Sequence, residues 1–123
     1  MKLNNKLMKP TISACDYNTS VFGSPHINKL VRTGNIVEIT FIAPVIAQPS
    51  GNTNIINNLP SFAKGTDTPI LSFVGTDRYM PNSSSTVKQL WTYTSSSIRT
   101  GNTLLVSGNW LYFNFVYITN DTN

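Results

Sequence analysis

Few side chains in this sequence could carry out covalent or metal chemistry. The chain has a single histidine, His26, and a single cysteine, Cys15, and their spacing matches neither a zinc-ligand pattern nor a cysteine-nucleophile motif. A hydrolase that uses carboxylates needs two of them to face each other across a cleft, and Asp67 and Asp77 are the pair that loops could bring together. Aspartates in such loops more often cap turns. We therefore predict that the protein is not an enzyme and that it binds no metal and no cofactor.

Aromatic side chains beside polar loops offer a different chemistry, the binding of a sugar. An aromatic ring stacks on the C–H face of a pyranose, and neighbouring polar groups supply hydrogen bonds. Trp91 and Tyr93 share one face of a predicted strand, and Asp77, Arg78 and Tyr79 lie in the predicted loop before it. These five residues form the candidate glycan-binding patch. The alternative is that Trp91 and Tyr93 belong to the hydrophobic core, which is the more common position for aromatic residues on a strand.

Short β-strands separated by turns account for most of the chain. The clearest hairpin spans residues 29–42 and turns at Gly34-Asn35, because both residues tolerate positive φ. Strand-like segments then recur at a spacing of roughly ten residues without helical periodicity, which is typical of a sandwich or jelly roll. We therefore predict an all-β protein with an antiparallel, jelly-roll-like β-sandwich over residues 29–123. Residues 1–28 are predicted to be an N-terminal tail or connector that includes one short strand.

The alternation of side chains along these strands predicts which of them form the core. The predicted core consists of Val37, Ile39, Phe41, Phe73, Leu90, Phe113 and Phe115. Glu38 falls on the opposite face of its strand, among apolar neighbours. We expect its carboxylate to lie in solvent, or to pair across the hairpin with a basic residue such as Arg32, or to form a salt bridge between subunits.

The last predicted strand, residues 110–119, is unusual because both of its faces are apolar. One face carries Leu111, Phe113, Phe115 and Tyr117. The other carries Trp110, Tyr112, Val116 and Ile118, interrupted only by Asn114. A strand of a small antiparallel domain normally has one face in water, and no helix is predicted that could cover the second. We therefore predict that Trp110, Tyr112, Val116 and Ile118 lie at a subunit interface.

The composition restricts the partners of the protein. Charged residues make up 11% of the chain, against about 25% in ordinary soluble domains. The net charge of +4 is modest, and no arginine-rich stripe could follow a phosphate backbone. No run of residues approaches the length of a membrane-spanning helix, and the N-terminus has no signal-peptide pattern. We predict no binding to nucleic acid and no insertion into a membrane.

Three short segments carry a resemblance to a known family. They are residues 32–39 (RTGNIVEI), residues 55–60 (IINNLP) and residues 117–119 (YIT). In this order the chain resembles, over residues 28–120, the C-terminal β-sandwich domains of bacteriophage tail-fibre, baseplate and other minor structural proteins. The sequence departs from that pattern at residues 61–65 (SFAKG), which replace a usual Pro-x-Gly-Tyr-x-Pro continuation. Residues 1–27 show no coiled-coil or collagen-like pattern of the kind expected for a fibre shaft.

The resemblance implies a homotrimeric head at the end of a fibre that binds saccharide on the host surface. A threefold axis would cover the second face of the final strand. The expected role is that of a non-enzymatic virion protein, assembled in the host cytoplasm, with other tail or baseplate proteins and host cell-wall saccharide as partners. Two alternatives remain open, a stand-alone lectin-like module and a purely structural capsid or tail decoration protein.

Overall fold

The computed structural model describes residues 9–49, 51–65, 72–79, 85–100 and 105–120. Within these ranges the regular structure consists of β-strands and one short 3-10 turn at Ser61–Ala63, so the all-β prediction is confirmed. The strands are β1 (Thr11–Ser13), β2 (Asp16–Tyr17), β3 (Ile27–Thr33), β4 (Ile36–Pro44), β5 (Thr53–Asn58), β6 (Ser72–Tyr79), β7 (Ser85–Thr94), β8 (Ser97–Thr100) and β9 (Asn109–Ile118).

All nine strands belong to one curled antiparallel sheet, in the order β1-β3-β4-β9-β6-β7-β8-β5-β2. The two edge strands, β1 and β2, are separated in the chain only by Ala14 and Cys15. The sheet must therefore curl until its two edges meet at this point. The side chain of Asn28 completes the join, because its amide oxygen accepts a hydrogen bond from the Cys15 N–H (2.8 Å) and its amide nitrogen donates to the Cys15 carbonyl (2.9 Å).

Strand β4 lies between β3 and β9 in the sheet. The β3–β4 hairpin turns at Gly34 and Asn35 as predicted, and Gly34 takes a φ of 62°, which costs glycine no steric strain. On the other side, all nine residues of β4 pair with residues of β9, from Ile36 opposite Ile118 to Pro44 opposite Trp110.

The inner face of the curled sheet holds the hydrophobic core. The predicted core residues Val37, Ile39, Phe41, Leu90, Phe113 and Phe115 are buried there, while the side chain of Phe73 lies outside the described part of the structure. Aromatic rings meet at the centre. The ring of Phe41 lies 5.6 Å from that of Phe113 and 5.3 Å, edge to face, from that of Phe22. Each such contact adds about 0.5–1.5 kcal/mol to the energy of burial alone.

A loop over residues 59–65 closes one end of the sheet. The Tyr117 hydroxyl donates to the Ala63 carbonyl, and the Thr119 hydroxyl donates to the Lys64 carbonyl at 2.8 Å. Arg32 is buried beneath this loop, where its Nε donates to the Gly34 carbonyl (2.8 Å) and its Nη1 to the Phe62 carbonyl (3.0 Å). The predicted pairing of Arg32 with Glu38 is therefore wrong, because the two side chains lie on opposite faces of the sheet.

Two predicted boundaries differ from the observed ones. The segment before residue 29 is more than a connector, since β1 and β2 complete the sheet and Cys15, Val21 and Phe22 enter the core. The predicted loop that holds Asp77, Arg78 and Tyr79 is shorter than expected, because β6 continues to Tyr79 by pairing with β9 and β7. Partners on both sides of β6 supply backbone hydrogen bonds, which overrides the weak strand propensity of its polar residues.

The close approach of β6 to β9 depends on Gly75. A Cβ atom at this position would lie 2.8 Å from the backbone oxygen of Tyr112 and 2.9 Å from Leu90 Cδ1. We expect Gly75→Ala to lower the free energy of unfolding by about 1–3 kcal/mol in urea denaturation, because β9 cannot move without disturbing the core. Gly65→Ala is the matched control, since its Cβ would meet only the Ser95 oxygen at 3.9 Å. Equal stability of the two variants would contradict this packing.

Candidate subunit interface

The solvent side of β1, β3, β4, β9 and β6, here called the outer face, carries a set of exposed apolar side chains. They are Ile12, Ile36, Val74, Val116 and Ile118. Strand register places them side by side, because Ile36 pairs with Ile118, and Ile12, Val31, Glu38 and Val116 form one row across four strands. Ile118 is 63% exposed and Val116 is 55% exposed. Several exposed apolar side chains grouped on one sheet face are typical of an interaction site.

The four residues predicted for an interface, Trp110, Tyr112, Val116 and Ile118, all belong to this outer face. Side chains alternate along β9, so these four residues must lie on the side opposite to the buried ones, which are Leu111, Phe113, Phe115 and Tyr117. Val116 and Ile118 are exposed, whereas Trp110 and Tyr112 are partly buried. Trp110 lies opposite Pro44 in the register of β9 and β4, and its indole meets the exposed His26 ring edge to face, with centroids 6.3 Å apart. Association with another subunit stays a prediction.

A polar row crosses the middle of the outer face. The Nδ2 of Asn114 donates to Glu38 Oε2 at 3.0 Å and to Thr40 Oγ1 at 2.9 Å. Glu38 lies in solvent, as one of the sequence interpretations expected, with Val31 and Val116 as its neighbours in register. The sequence analysis treated Asn114 only as a break in an apolar pattern. Its position opposite Thr40 could have been inferred only from the register of two strands that are distant in sequence.

An open depression lies beside this polar row. Its lining residues are Thr40, Ile42, Val74, Gly75, Thr76, Tyr112, Phe113 and Asn114, and its volume is about 360 Å³. This is near the lower end of the roughly 300–1,000 Å³ that small-molecule pockets occupy. The apolar side chains of Ile42, Val74 and Tyr112 make it suitable for an inserted hydrophobic side chain or for the apolar face of a small ring.

The five glycan candidates do not converge at one point of the sheet. Trp91 pairs with Ser72, whereas Asp77 lies five residues further along β6, or about 17 Å at 3.3–3.4 Å per residue. The triplet of Asp77, Arg78 and Tyr79 lies in β6 instead of a loop, with Arg78 in register with Trp110 of β9. The side chains of this triplet and of Tyr93 lie outside the described part of the structure.

Trp91 itself lies on the solvent side of β7. Lys88, Leu90 and Thr92 are the buried residues of this strand, so the alternation directs Trp91 away from the core, where it is only partly buried. The core interpretation is therefore wrong for Trp91. In register beside it lies Arg99 of β8, whose Nε donates to Asn54 Oδ1 of β5 at 3.0 Å. The ring, the guanidinium and the amide thus form a row, which we call the Trp91–Arg99–Asn54 row.

The thiol of Cys15 is not activated as a nucleophile. Cys15 is buried in the core, and burial raises its pKa to about 12. At neutral pH the group is a thiol and not the thiolate that a nucleophile requires. His26, the formal partner of Cys15 in a nucleophile pair, is exposed against Trp110 instead. Within the described ranges, no three histidine, cysteine or acidic side chains lie together as metal ligands.

Comparisons with known proteins add no relative to these observations. No protein-family model matches the chain, and no curated protein matches it at a significant level. Among the described residues, no helix is long and apolar enough to cross a membrane. The fold and its exposed face define the chain as an all-β module with an uncovered apolar sheet surface.

Burial of the thiol predicts a loss of stability at alkaline pH. Burial also raises the pKa of Tyr117, with a further contribution from the nearby charge of Cys15. Both groups keep their protons longer in the folded state, so their stabilisation is complete below the unfolded pKa and is lost as the pH rises above it. From pH 9 to pH 10 we expect Cys15 to lower the free energy of unfolding by about 1 kcal/mol.

Urea denaturation at pH 7, 9 and 10 measures this loss. Cys15→Ala should remove most of the decrease between pH 9 and pH 10, whereas Tyr117→Phe should retain most of it, because an ordinary tyrosine titrates about one unit higher than the thiol. Parallel pH profiles for the wild type and Cys15→Ala would contradict the burial of a titrating thiol.

Proposed function

We propose that this chain is a non-enzymatic structural module of a bacteriophage virion, from a tail fibre or baseplate, that assembles as a homotrimer and attaches to host-surface saccharide. The observation that carries the proposal is the exposed apolar outer face, with Val116 and Ile118 of β9 among its exposed side chains. In this proposal the curled sheet forms a jelly-roll-like sandwich. Strands β1, β3, β4, β9 and β6 make the layer that meets neighbouring subunits, and the remaining strands make the other layer.

The energy of burial supports self-association. Each fully covered valine or isoleucine side chain contributes about 1.5–3 kcal/mol relative to exposure, and five apolar side chains of the outer face are exposed. Because each copy carries the same face, a symmetric oligomer covers all of them with a single type of contact. The resemblance of residues 32–39, 55–60 and 117–119 to trimeric fibre domains favours three subunits.

The Trp91–Arg99–Asn54 row supports the attachment part of the proposal. A partly exposed indole provides a stacking surface for a pyranose, and the neighbouring guanidinium and amide provide hydrogen-bonding groups at its rim. The row runs from Trp91 on β7, beside the outer-face strand β6, across β8 to Asn54 on β5. In a trimer that meets through β4 and β9, three copies of the row would remain available to a polyvalent surface, which strengthens weak binding through avidity.

Native mass measurement of paired variants tests the assembly. We expect a trimer for the wild type and a monomer for Val116→Lys, because a lysine at the centre of the interface would place an unpaired charge in an apolar contact. Ile46→Lys is the matched control, since Ile46 has the same 55% exposure but lies beyond the end of β4, eight residues from Glu38, the residue opposite Val116; it should remain trimeric. A monomeric wild type at micromolar concentration would overturn the assembly part of the proposal.

Binding to an array of bacterial cell-wall saccharides tests the attachment. We expect the wild type to bind and Trp91→Ala to weaken the binding about five- to tenfold, which corresponds to roughly 1 kcal/mol of lost stacking per site. Gln89→Ala, an exposed neighbour on the same side of β7, should bind as the wild type does. A trimer that binds no saccharide would favour the decoration-protein alternative, and a monomer that does bind would favour the lectin-like module.

A further inference from the structure

Glu38 is a carboxylate held in place within the apolar outer face. It is exposed, its neighbours in register are Val31 and Val116, and Asn114 Nδ2 donates to its Oε2 at 3.0 Å. The same amide nitrogen lies 2.9 Å from Thr40 Oγ1. Asn114 thus orients the carboxylate without neutralising its charge, and the carboxylate keeps free lone pairs on the solvent side.

Lys29 continues the same polar row on the neighbouring strand β3. It is exposed on β3 and pairs in register with Thr40, so its side chain and that of Glu38 occupy one face on neighbouring strands. Within the described part of the chain, neither residue forms an ion pair. The outer face therefore presents one negative and one positive group close together, surrounded by apolar side chains.

We propose that, in the assembled protein, the Glu38 carboxylate of one subunit accepts hydrogen bonds from the Lys29 ammonium of a second copy. This inference rests on the proposed function, since it requires the outer face to be covered. Covering the face removes water from Glu38, and a buried carboxylate without a partner is strongly unfavourable. A second copy of the chain supplies the missing cation, Lys29, from its own outer face. The outer faces of two copies are therefore complementary in charge.

The pair gives the interface its alignment. Apolar side chains alone tolerate sliding and rotation of one sheet on another, whereas a charge pair is satisfied in one arrangement only. In other arrangements the Lys29 ammonium of the second copy does not reach Glu38, and the carboxylate loses water without gaining that partner. The orientation by Asn114 reduces the conformational freedom that Glu38 must lose on binding.

Reciprocal charge reversal tests the pair. Glu38→Lys and Lys29→Glu are each expected to weaken association by on the order of a hundredfold or more, because like charges then meet in the interface. An equimolar mixture of the two variants should associate more tightly than either variant alone and give oligomers that contain both subunit masses in native mass spectrometry, since in a mixed trimer two of the three contacts join opposite charges. Lys64→Glu, an exposed change on the loop at the end of the sheet, is the control and should assemble normally.

The outcomes separate this inference from the proposed function. If the wild type forms an oligomer and both reversals leave its mass and affinity unchanged, the pair is overturned and the proposed assembly stands. If the wild type is a monomer, both are overturned. If the doubly reversed chain assembles but the mixture of single variants associates no more tightly than either variant alone, Glu38 and Lys29 pair within one subunit and the inference fails. Circular dichroism identifies any variant that has lost its fold.

Discussion

The antiparallel pairing of β4 with β9 determines both the core and the outer face. One register places Phe41 opposite Phe113 inside the sheet and Thr40 opposite Asn114 outside it. Because side chains alternate along a strand, a slip of one residue would move every side chain of β9 to the opposite face. The contacts among the aromatic rings of the core therefore also fix the polar row and its apolar neighbours on the solvent side.

Local patterns were sufficient to predict the faces of β4 and β9, but not the closure of the sheet. The burial of Val37, Ile39, Phe113 and Phe115 follows from alternation within each strand. The joining of the two edges depends on Asn28, whose side-chain amide takes the place of a backbone group beside Cys15. An asparagine in a strand carries no local sign of such a contact, because its partner is chosen by the course of the whole chain.

Charge and polarity were misleading wherever tertiary contacts outweighed them. Lys88 and Arg32 are buried, although lysine and arginine rarely are. On β7 a hydrophobicity pattern therefore predicts that the face with Trp91 points to the core. In the structure the opposite face, with Lys88, Leu90 and Thr92, is the buried one. Arg32 is accommodated because carbonyl groups of the turn and of the loop over residues 59–65 accept its hydrogen bonds. Glu38, one expected partner of Arg32, lies on the solvent side, where Asn114 donates a hydrogen bond to it.

The separation of Arg32 from Glu38 bears on how the outer face can be covered. If Glu38 were paired with a cation of its own subunit, its charge would not affect which partner binds to the outer face. Because its hydrogen-bond donor is the neutral amide of Asn114, the carboxylate keeps its charge and favours some partners over others. Partners that bring only apolar groups are disfavoured by the cost of drying the carboxylate, and partners with a cation at the matching position are favoured. An exposed face of this composition therefore resists indiscriminate aggregation and still retains the apolar area that stable assembly needs.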